Sequence, residues 1–336
     1  MRYWKTSGRR AGAIAALACA LALVVAGCGG DGGGGSASTA TGTGTGDAPA
    51  PATITVGTLP TANAAPMYLG MKKGFFREEG LTIKPQVGEG GGSLIAALNS
   101  NAVQFAFVGV IPMVTAVSKD VPIKVVAMSD AAGATPQTDW QVLMVAKRSP
   151  IKEVADLKGR TIAVNALRGV SEVMIKNSLE KQGVDPDSIE LIEVPFPDMP
   201  AALGEKQVDA ALATEPFLSS ILADGGRQVD APFVNAEPKV ANGVYVATER
   251  YIGRNGDVVG RFARAMKKSV DYSATHEQEV RDIIPTYTQI PAAAAAKIRL
   301  PTFTSTVDPD SIQLNAEMAK KYGVIEEIPP MDDMVR

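Results

Sequence analysis

The sequence predicts an α/β protein of two lobes, and three observations predict it. From Thr53 onward, short β-branched runs alternate with helix-period segments, which is the pattern of βαβ units. The alternation pauses at Ser149-Pro150 and starts again at Thr161, so the series is present twice. The stretch from Thr53 to Arg336 holds 284 residues (336 less 52), more than one small core organises.

In the first series, residues 53–59 (TITVGTL) form a strand and 65–73 a helix that Gly74 ends, with Phe75 and Phe76 packing back on the sheet. Strands at 81–86, 104–108 and 123–128 alternate with helices at 92–100 and 111–118. Residues 140–146 (WQVLMVA) are a further apolar run, followed by a short helical piece at 154–157. The second series has strands at 161–166, 189–194, 209–213 and 227–231, with helices at 170–182, 199–204 and 216–224. Lys158-Gly159-Arg160 is turn chemistry ahead of its first strand. Residues 243–247 (GVYVA) form another crossing strand, and 258–272, 277–287, 292–298 and 311–322 are helical by period. The expected architecture is two mostly parallel sheets flanked by helices and joined by two hinge crossings, near 140–147 and 241–248. Lobe 1 then comprises 53–143 plus 246–336, and lobe 2 comprises 144–245.

The residues ahead of the lobes state a location. Arg2, Lys5, Arg9 and Arg10 precede an uncharged apolar run at 11–26 that ends in Leu23-Val24-Val25-Ala26-Gly27-Cys28, the layout of an export signal over 1–27. The run is shorter than the roughly 20 residues of a spanning helix. Residues 28–52 carry no large apolar side chain and read as a flexible tether. The cysteine at the cut resembles the lipobox of bacterial lipoproteins, which implies lipidation at Cys28 and a cell-membrane, extracytoplasmic location.

Composition excludes several functions. Removing 1–27 takes four positive charges and no negative ones, leaving 29 minus 36, or −7. An acidic chain lacks the basic face that nucleic acid requires. The cysteines are Cys19 and Cys28 alone, so the lobes have no disulfide, thiolate nucleophile or cysteine metal site. His276 is the single histidine and sits in a polar stretch, as a solvent-facing helix residue. No GxSxG, phosphate-loop or HExxH motif occurs. Binding without chemistry, with no metal and no cofactor, is the expected class.

Three groups of segments carry a family resemblance. The first is Gly57-Thr58-Leu59-Pro60, Ala65-Pro66-Met67-Tyr68-Leu69-Gly70 and Lys73-Gly74-Phe75-Phe76-Arg77-Glu78-Glu79-Gly80-Leu81. The second is Gly91-Gly92-Ser93 with Ala96-Ala97-Leu98 and Gln104-Phe105-Ala106. The third is Leu157-Lys158-Gly159-Arg160-Thr161-Ile162-Ala163-Val164, then Val208-Asp209-Ala210 and Glu215-Pro216-Phe217. In this order the chain resembles the solute-binding proteins of ABC importers, in the branch that takes aliphatic sulfonates, taurine, nitrate and thiamine-pyrimidine precursors. The resemblance implies a type II periplasmic-binding-protein fold, a small-molecule ligand, ABC permease subunits as partners and a monomer. The histidine that nitrate binders use and the cysteine-rich motif of the pyrimidine synthases are absent here, which favours a sulfonate or similar organic anion, with a pyrimidine, flavin or other heteroaromatic nutrient as the alternative and an exported enzyme on the same fold as the more remote one.

Ligand contacts are expected beyond the carboxyl ends of the strands, near helix starts. In lobe 1 these are Thr61, Asn63 and Ala64 after the first strand, Gly92 and Ser93 at a glycine-rich helix start, and Gly109 and Val110 after the third strand. Asp130 stands after the fourth strand, able to hold a donor group. Arg168 and Gly169 open the long helix of lobe 2, where Arg168 either pairs bidentately with an anion or is a solvated surface residue. Glu215 lies past the strand at 209–213, as a hinge or closure contact. Trp140 lies at the inferred hinge, where packing accounts for it.

Overall fold

The structure, a computed structural model, describes residues 50–336. The signal segment, Cys28 and nearly all of the tether lie outside the described residues. No helix among the described residues is long and apolar enough to cross a membrane.

The first sheet begins with β1 (Ala52–Thr58), followed by α1 (Ala65–Lys73), α2 (Phe75–Glu78), β2 (Leu81–Val87) and α3 (Gly91–Asn99). It continues through β3 (Phe105–Gly109), α4 (Val110–Val117) and β4 (Ile123–Ala131). The chain then enters the second lobe at β5 (Gln141–Val145), followed by β6 (Thr161–Val164), α5 (Val170–Lys181) and β7 (Glu190–Glu193). There follow α6 (Met199–Gly204), β8 (Ala210–Thr214), α7 (Phe217–Ala223), β9 (Arg227–Asp230) and α8 (Pro232–Ala236). The return strand is β10 (Ala241–Thr248), after which come α9 (Glu249–Arg254), α10 (Gly256–Ser273), α11 (Glu277–Ile283) and α12 (Ala292–Ala295). The strand β11 (Thr302–Phe303) and helices α13 (Pro309–Lys321) and α14 (Met331–Met334) complete the chain.

The sheets have orders β11-β4-β10-β3-β1-β2 and β7-β6-β8-β5-β9. Both are mixed: four strands of each sheet run one way, as expected of mostly parallel sheets, and the crossing strand of each, with β11 in the first, runs against them. The strands β1, β2 and β3 pair in parallel, but β10 lies antiparallel between β3 and β4. In the second sheet β6 pairs in parallel with β7 and β8, while β5 is antiparallel to β8 and β9. The cause is the crossing itself. A chain arriving from the other lobe enters a sheet at the end where the resident strands leave it, so it must run against them.

Sheet membership also moves the crossings. All of β5 belongs to the second sheet and all of β10 to the first, so the chain passes between them at 132–140 and 231–240. The expected boundaries at 143/144 and 245/246 come a few residues late. Pattern reading also omitted α2, α8, α9, β11 and α14, all of six residues or fewer.

Local chemistry explains the ends that matter. Gly74 stops α1 at φ +84°, and Phe76 is then buried against Phe262 of α10 at 5.8 Å. Phe262 stacks on Phe105 of β3 at 3.9 Å, so α10 is bolted over one face of the first sheet by aromatic contacts. His276 is exposed at the start of α11 and stacks on Tyr272, outside any site.

Candidate functional site

A cavity of about 560 Å³ lies between the two sheets' carboxyl-end loops. Lobe 1 contributes Leu59, Thr61, Asn63, the 89–93 turn, Phe107, Gly109, Pro112, Asn242 and Gly243. Lobe 2 contributes Trp140, Gln141, residues 165–171, Phe196 and Thr214. Four lining residues carry charge (Glu89, Lys119, Arg168 and Glu193), and all four are exposed at its rim. The inner wall is amide, hydroxyl and aromatic.

Three helices start at this cavity: α3 behind Gly90, α4 behind Gly109 and α5 behind Gly169. In none of them does the capping residue supply a side-chain acceptor, because in each it is glycine. The first N–H groups of α3 and α5 are therefore left without an intrahelical or capping partner, while α4, with Pro112 third, brings mainly the positive end of its dipole. The two lobes come close here. A Cβ on Gly109 would stand 2.6 Å from Val170 Cγ2, and one on Gly90 3.8 Å from the Ala166 Cβ.

Under the cavity lies a buried polar network. Thr61 Oγ1 donates to Asn63 Oδ1 at 2.6 Å, and Asn63 Nδ2 donates to both Asp130 carboxylate oxygens at 3.3 Å. Asn242 Nδ2 donates to Asp130 Oδ1 at 2.9 Å. Gly243 makes room for this arrangement, since a Cβ there would lie 2.1 Å from Asp130 Oδ2. Tyr287 donates from its hydroxyl to the Thr61 carbonyl at 3.1 Å, and its ring stacks on Tyr68 at 3.9 Å, which fixes the loop from behind. Burial raises the Asp130 carboxyl to about 7 against the lowering effect of the Asn242 and Asn63 amides.

The expected site residues therefore separate into three groups. Thr61, Asn63, Gly92, Ser93, Gly109, Arg168 and Gly169 line the cavity. Ser93 turns its hydroxyl back, however, donating to the Gly90 carbonyl at 2.9 Å and accepting from the Gly90 N–H, so it secures the turn. Ala64 and Val110 are fully buried behind the wall and do not line it, because each already packs in the core as its helix begins. Asp130 is likewise off the wall: it is fully buried and acts on Asn63 and Asn242 rather than on a donor in the cavity.

Two of the expected residues make contacts between the lobes, Arg168 from the cavity rim and Glu215 behind the wall, where a hinge or closure contact is expected. Arg168 Nη2 donates to the Gly323 and Val324 carbonyls at 3.0 and 2.8 Å, so the bidentate pairing with an anion is not the contact it makes. Glu215 is buried and away from the cavity wall. Its carboxylate accepts from Ser219 in lobe 2 and from the Arg299 N–H in lobe 1, and its carbonyl accepts from the Ala62 N–H. Burial raises Glu215 to about 7, opposed by those N–H and hydroxyl donors.

The sequence reading missed Gln141, Thr214, Asn242 and Phe196 on the wall. Gln141 and Thr214 face each other in register on β5 and β8. A signal for them existed: each is the polar residue at the cleft end of an otherwise apolar strand. Trp140 is buried and donates from Nε1 to the Ala131 carbonyl at 3.0 Å, so it both packs the crossing and lines the cavity. No cluster of three or more His, Cys, Asp or Glu placed to hold a metal is found among the described residues.

Two hinged α/β lobes with mixed sheets around a central cleft define the class of periplasmic binding proteins. Residues 61–280 match the NMT1/THI5-like family, more than half of the chain, and the chain belongs to that family. It is 26% identical over 191 residues to the taurine-binding periplasmic protein of Escherichia coli, covering 57% of each chain. It is 23% identical over 232 residues to the formylaminopyrimidine-binding protein of Halalkalibacterium halodurans, covering 68% of this chain and 67% of that one. Among solved structures it is similar to the periplasmic aliphatic sulphonate binding protein SsuA of Escherichia coli. That match has a TM-score of 0.68 and 19% identity, over 85% of this chain and 98% of the other.

Proposed function

We propose that this chain is the extracytoplasmic solute-binding component of an ABC importer and captures a small organic anion, sulfonate- or taurine-like, between its lobes. The observation that carries the anion is the convergence of three glycine-opened helix starts on one cavity. The α3 and α5 starts offer unpaired N–H groups, and all three bring about half a positive charge each, enough together to hold an oxyanion with no cationic side chain inside. The relatives named as binding proteins support capture without chemistry. Closure then presents the loaded form to a membrane permease, and a lipidated Cys28 keeps the monomer at the membrane.

A second reading rests on a different part of the wall. Trp140, Phe107 and Phe196 line the same cavity beside neutral amides, which suits a flat heteroaromatic solute such as a pyrimidine. Thermal shift and calorimetry with alkanesulfonates, taurine, nitrate, pyrimidines and flavins separate the two. A ligand at a hundredfold over its Kd adds about 2.7 kcal/mol to stability. Stabilisation by a pyrimidine and by no anion refutes the anion reading, and recovery of a chemically altered ligand refutes binding without turnover. Replacing Cys28 by Ser releases the protein from membranes if the anchor is lipid.

A further inference from the structure

We propose that Arg168 is a positioning residue: a latch that holds the ligand loop of lobe 2 against lobe 1 and slows release of whatever the cleft holds. The proposal rests on the reading of the cleft as the ligand site. The loop at 165–171 supplies one of the three helix starts, through Gly169, and the Asn165 amide. Its backbone is fixed within lobe 2 by two carboxylates: the Leu167 N–H donates to Glu193 Oε1 and the Arg168 N–H to Glu172 Oε2, each at 2.7 Å. The Arg168 side chain leaves that lobe. Its Nη2 bonds two successive carbonyls, Gly323 and Val324, more than 150 positions away.

Those carbonyls stand just past the end of α13, where the chain turns through Gly323 at φ +69°. The last carbonyls of α13 itself are taken by the Tyr322, Gly323 and Val324 N–H groups, whereas among the described residues no backbone N–H reaches the Gly323 or Val324 carbonyl, and the guanidinium is the donor to both. The helix itself is held to lobe 1: the Asn315 amide donates to the Ala241 carbonyl of β10 at 3.1 Å, and the Ser311 hydroxyl accepts from the Ala241 N–H at 2.7 Å. Arg168 also adopts φ +54°, a left-handed conformation that costs an arginine more than a glycine or asparagine. Beside it, Lys321 pairs with Glu180 of α5 at 2.6 Å and Tyr322 donates to the same carboxylate, a second tie along the same line. Glu180 is exposed and away from the cavity, so that tie is a surface pair of small energetic weight.

The test compares the full chain with Arg168→Asn, which tolerates the left-handed backbone and removes the guanidinium, and with Arg168→Lys, which keeps the charge without the planar fork. Hydrogen–deuterium exchange without ligand is read at 165–171 and 319–326, and 1-butanesulfonate is the binding probe. The latch predicts faster exchange in both segments of Arg168→Asn and a dissociation rate raised about tenfold, with association changed less than twofold. Arg168→Lys falls between. Exchange unchanged at 319–326 overturns the latch, because a residue that only contacts ligand moves nothing there in the free protein. Faster exchange with an unchanged dissociation rate overturns its role in retention. A wild-type chain that binds no alkanesulfonate refutes the proposed ligand class, and Arg168 as a cross-lobe tie is then decided by exchange alone.

Discussion

Gly109→Ala tests whether the lobes must come into contact to bind. Gly109 has φ −71° and ψ 156°, a conformation any residue adopts, so alanine there strains nothing in the backbone of lobe 1. Its Cβ meets the Pro112 Cδ at 3.4 Å and the Asn242 carbonyl at 3.8 Å, which are ordinary contacts. The conflict is across the cleft, where Val170 Cγ2 would be 2.6 Å away. Valine in a helix is confined to one main rotamer and has no flexible end to swing aside, so the lobes must separate by about an ångström. Overpacking of this kind costs about 1–3 kcal/mol, which is a Kd weakened by about 5- to 150-fold. Because the lobes can relieve the clash by separating, the unfolding midpoint without ligand should move less than the ligand affinity does. Calorimetry with the ligand identified by thermal shift measures the affinity, and Val170→Ala in the same chain should restore most of it. Wild-type affinity in Gly109→Ala, or a double variant no better than the single one, would refute closure onto this contact.

Three further outcomes follow from buried groups and one glycine. Asp130→Asn keeps the shape but removes the carboxylate that orients both the Asn63 and Asn242 amides; affinity should fall about tenfold, the order of one charge-assisted hydrogen bond, and calorimetry that shows no loss would dismiss the network as a support for the site. Burial holds Asp130 and Glu215 at about 7 and Asp139 at about 6, above their ordinary values, so the folded chain binds more protons than the unfolded one between about pH 4 and 7. That stability is fully present below the unfolded carboxylate range and lost as pH rises through 6 to 7; the melting temperature should therefore rise from pH 8 to pH 5.5, and a fall over that span would contradict the assignment. Gly74→Ala places a side chain at φ +84°, with its Cβ 2.8 Å from Arg77 Nη2, and should cost about 1–2 kcal/mol of stability with ligand affinity unchanged.

What the sequence made legible was set by period, and what it hid was set by long-range contact. The strands at 53–59, 81–86 and 123–128 and the helices at 170–182 and 199–204 declare themselves through alternation or a 3.6-residue repeat, and each lies within a few residues of its place. Strand direction does not: GVYVA reads the same whichever way it runs, and only the return from the other lobe makes β10 antiparallel. The site divides in the same way. Glycines at helix starts, such as Gly92, Gly109 and Gly169, were readable because a helix start is a local feature, and all three line the cavity. The contacts of Asp130 and Arg168 were not readable because a charged side chain's partner is chosen by the fold. Asp130 finds Asn63 and Asn242 at separations of 67 and 112 positions, and Arg168 finds Val324 at 156.

This division bears on how the cleft holds charge. A site built from side-chain cations would pay desolvation for each of them whenever it stood empty. Backbone N–H groups at helix starts are already fixed, and their partial charges are spread over peptide dipoles, so an empty cleft costs less to keep. The rim then becomes free for other duties. Arg168 and Glu193, both lining the mouth, are committed to the Gly323 and Val324 carbonyls and to the Leu167 N–H. A substitution that introduces a cation on the inner wall, such as Gln141→Lys, should for this reason lower the stability of the empty protein more than it improves anion affinity; a gain in both would reverse the argument.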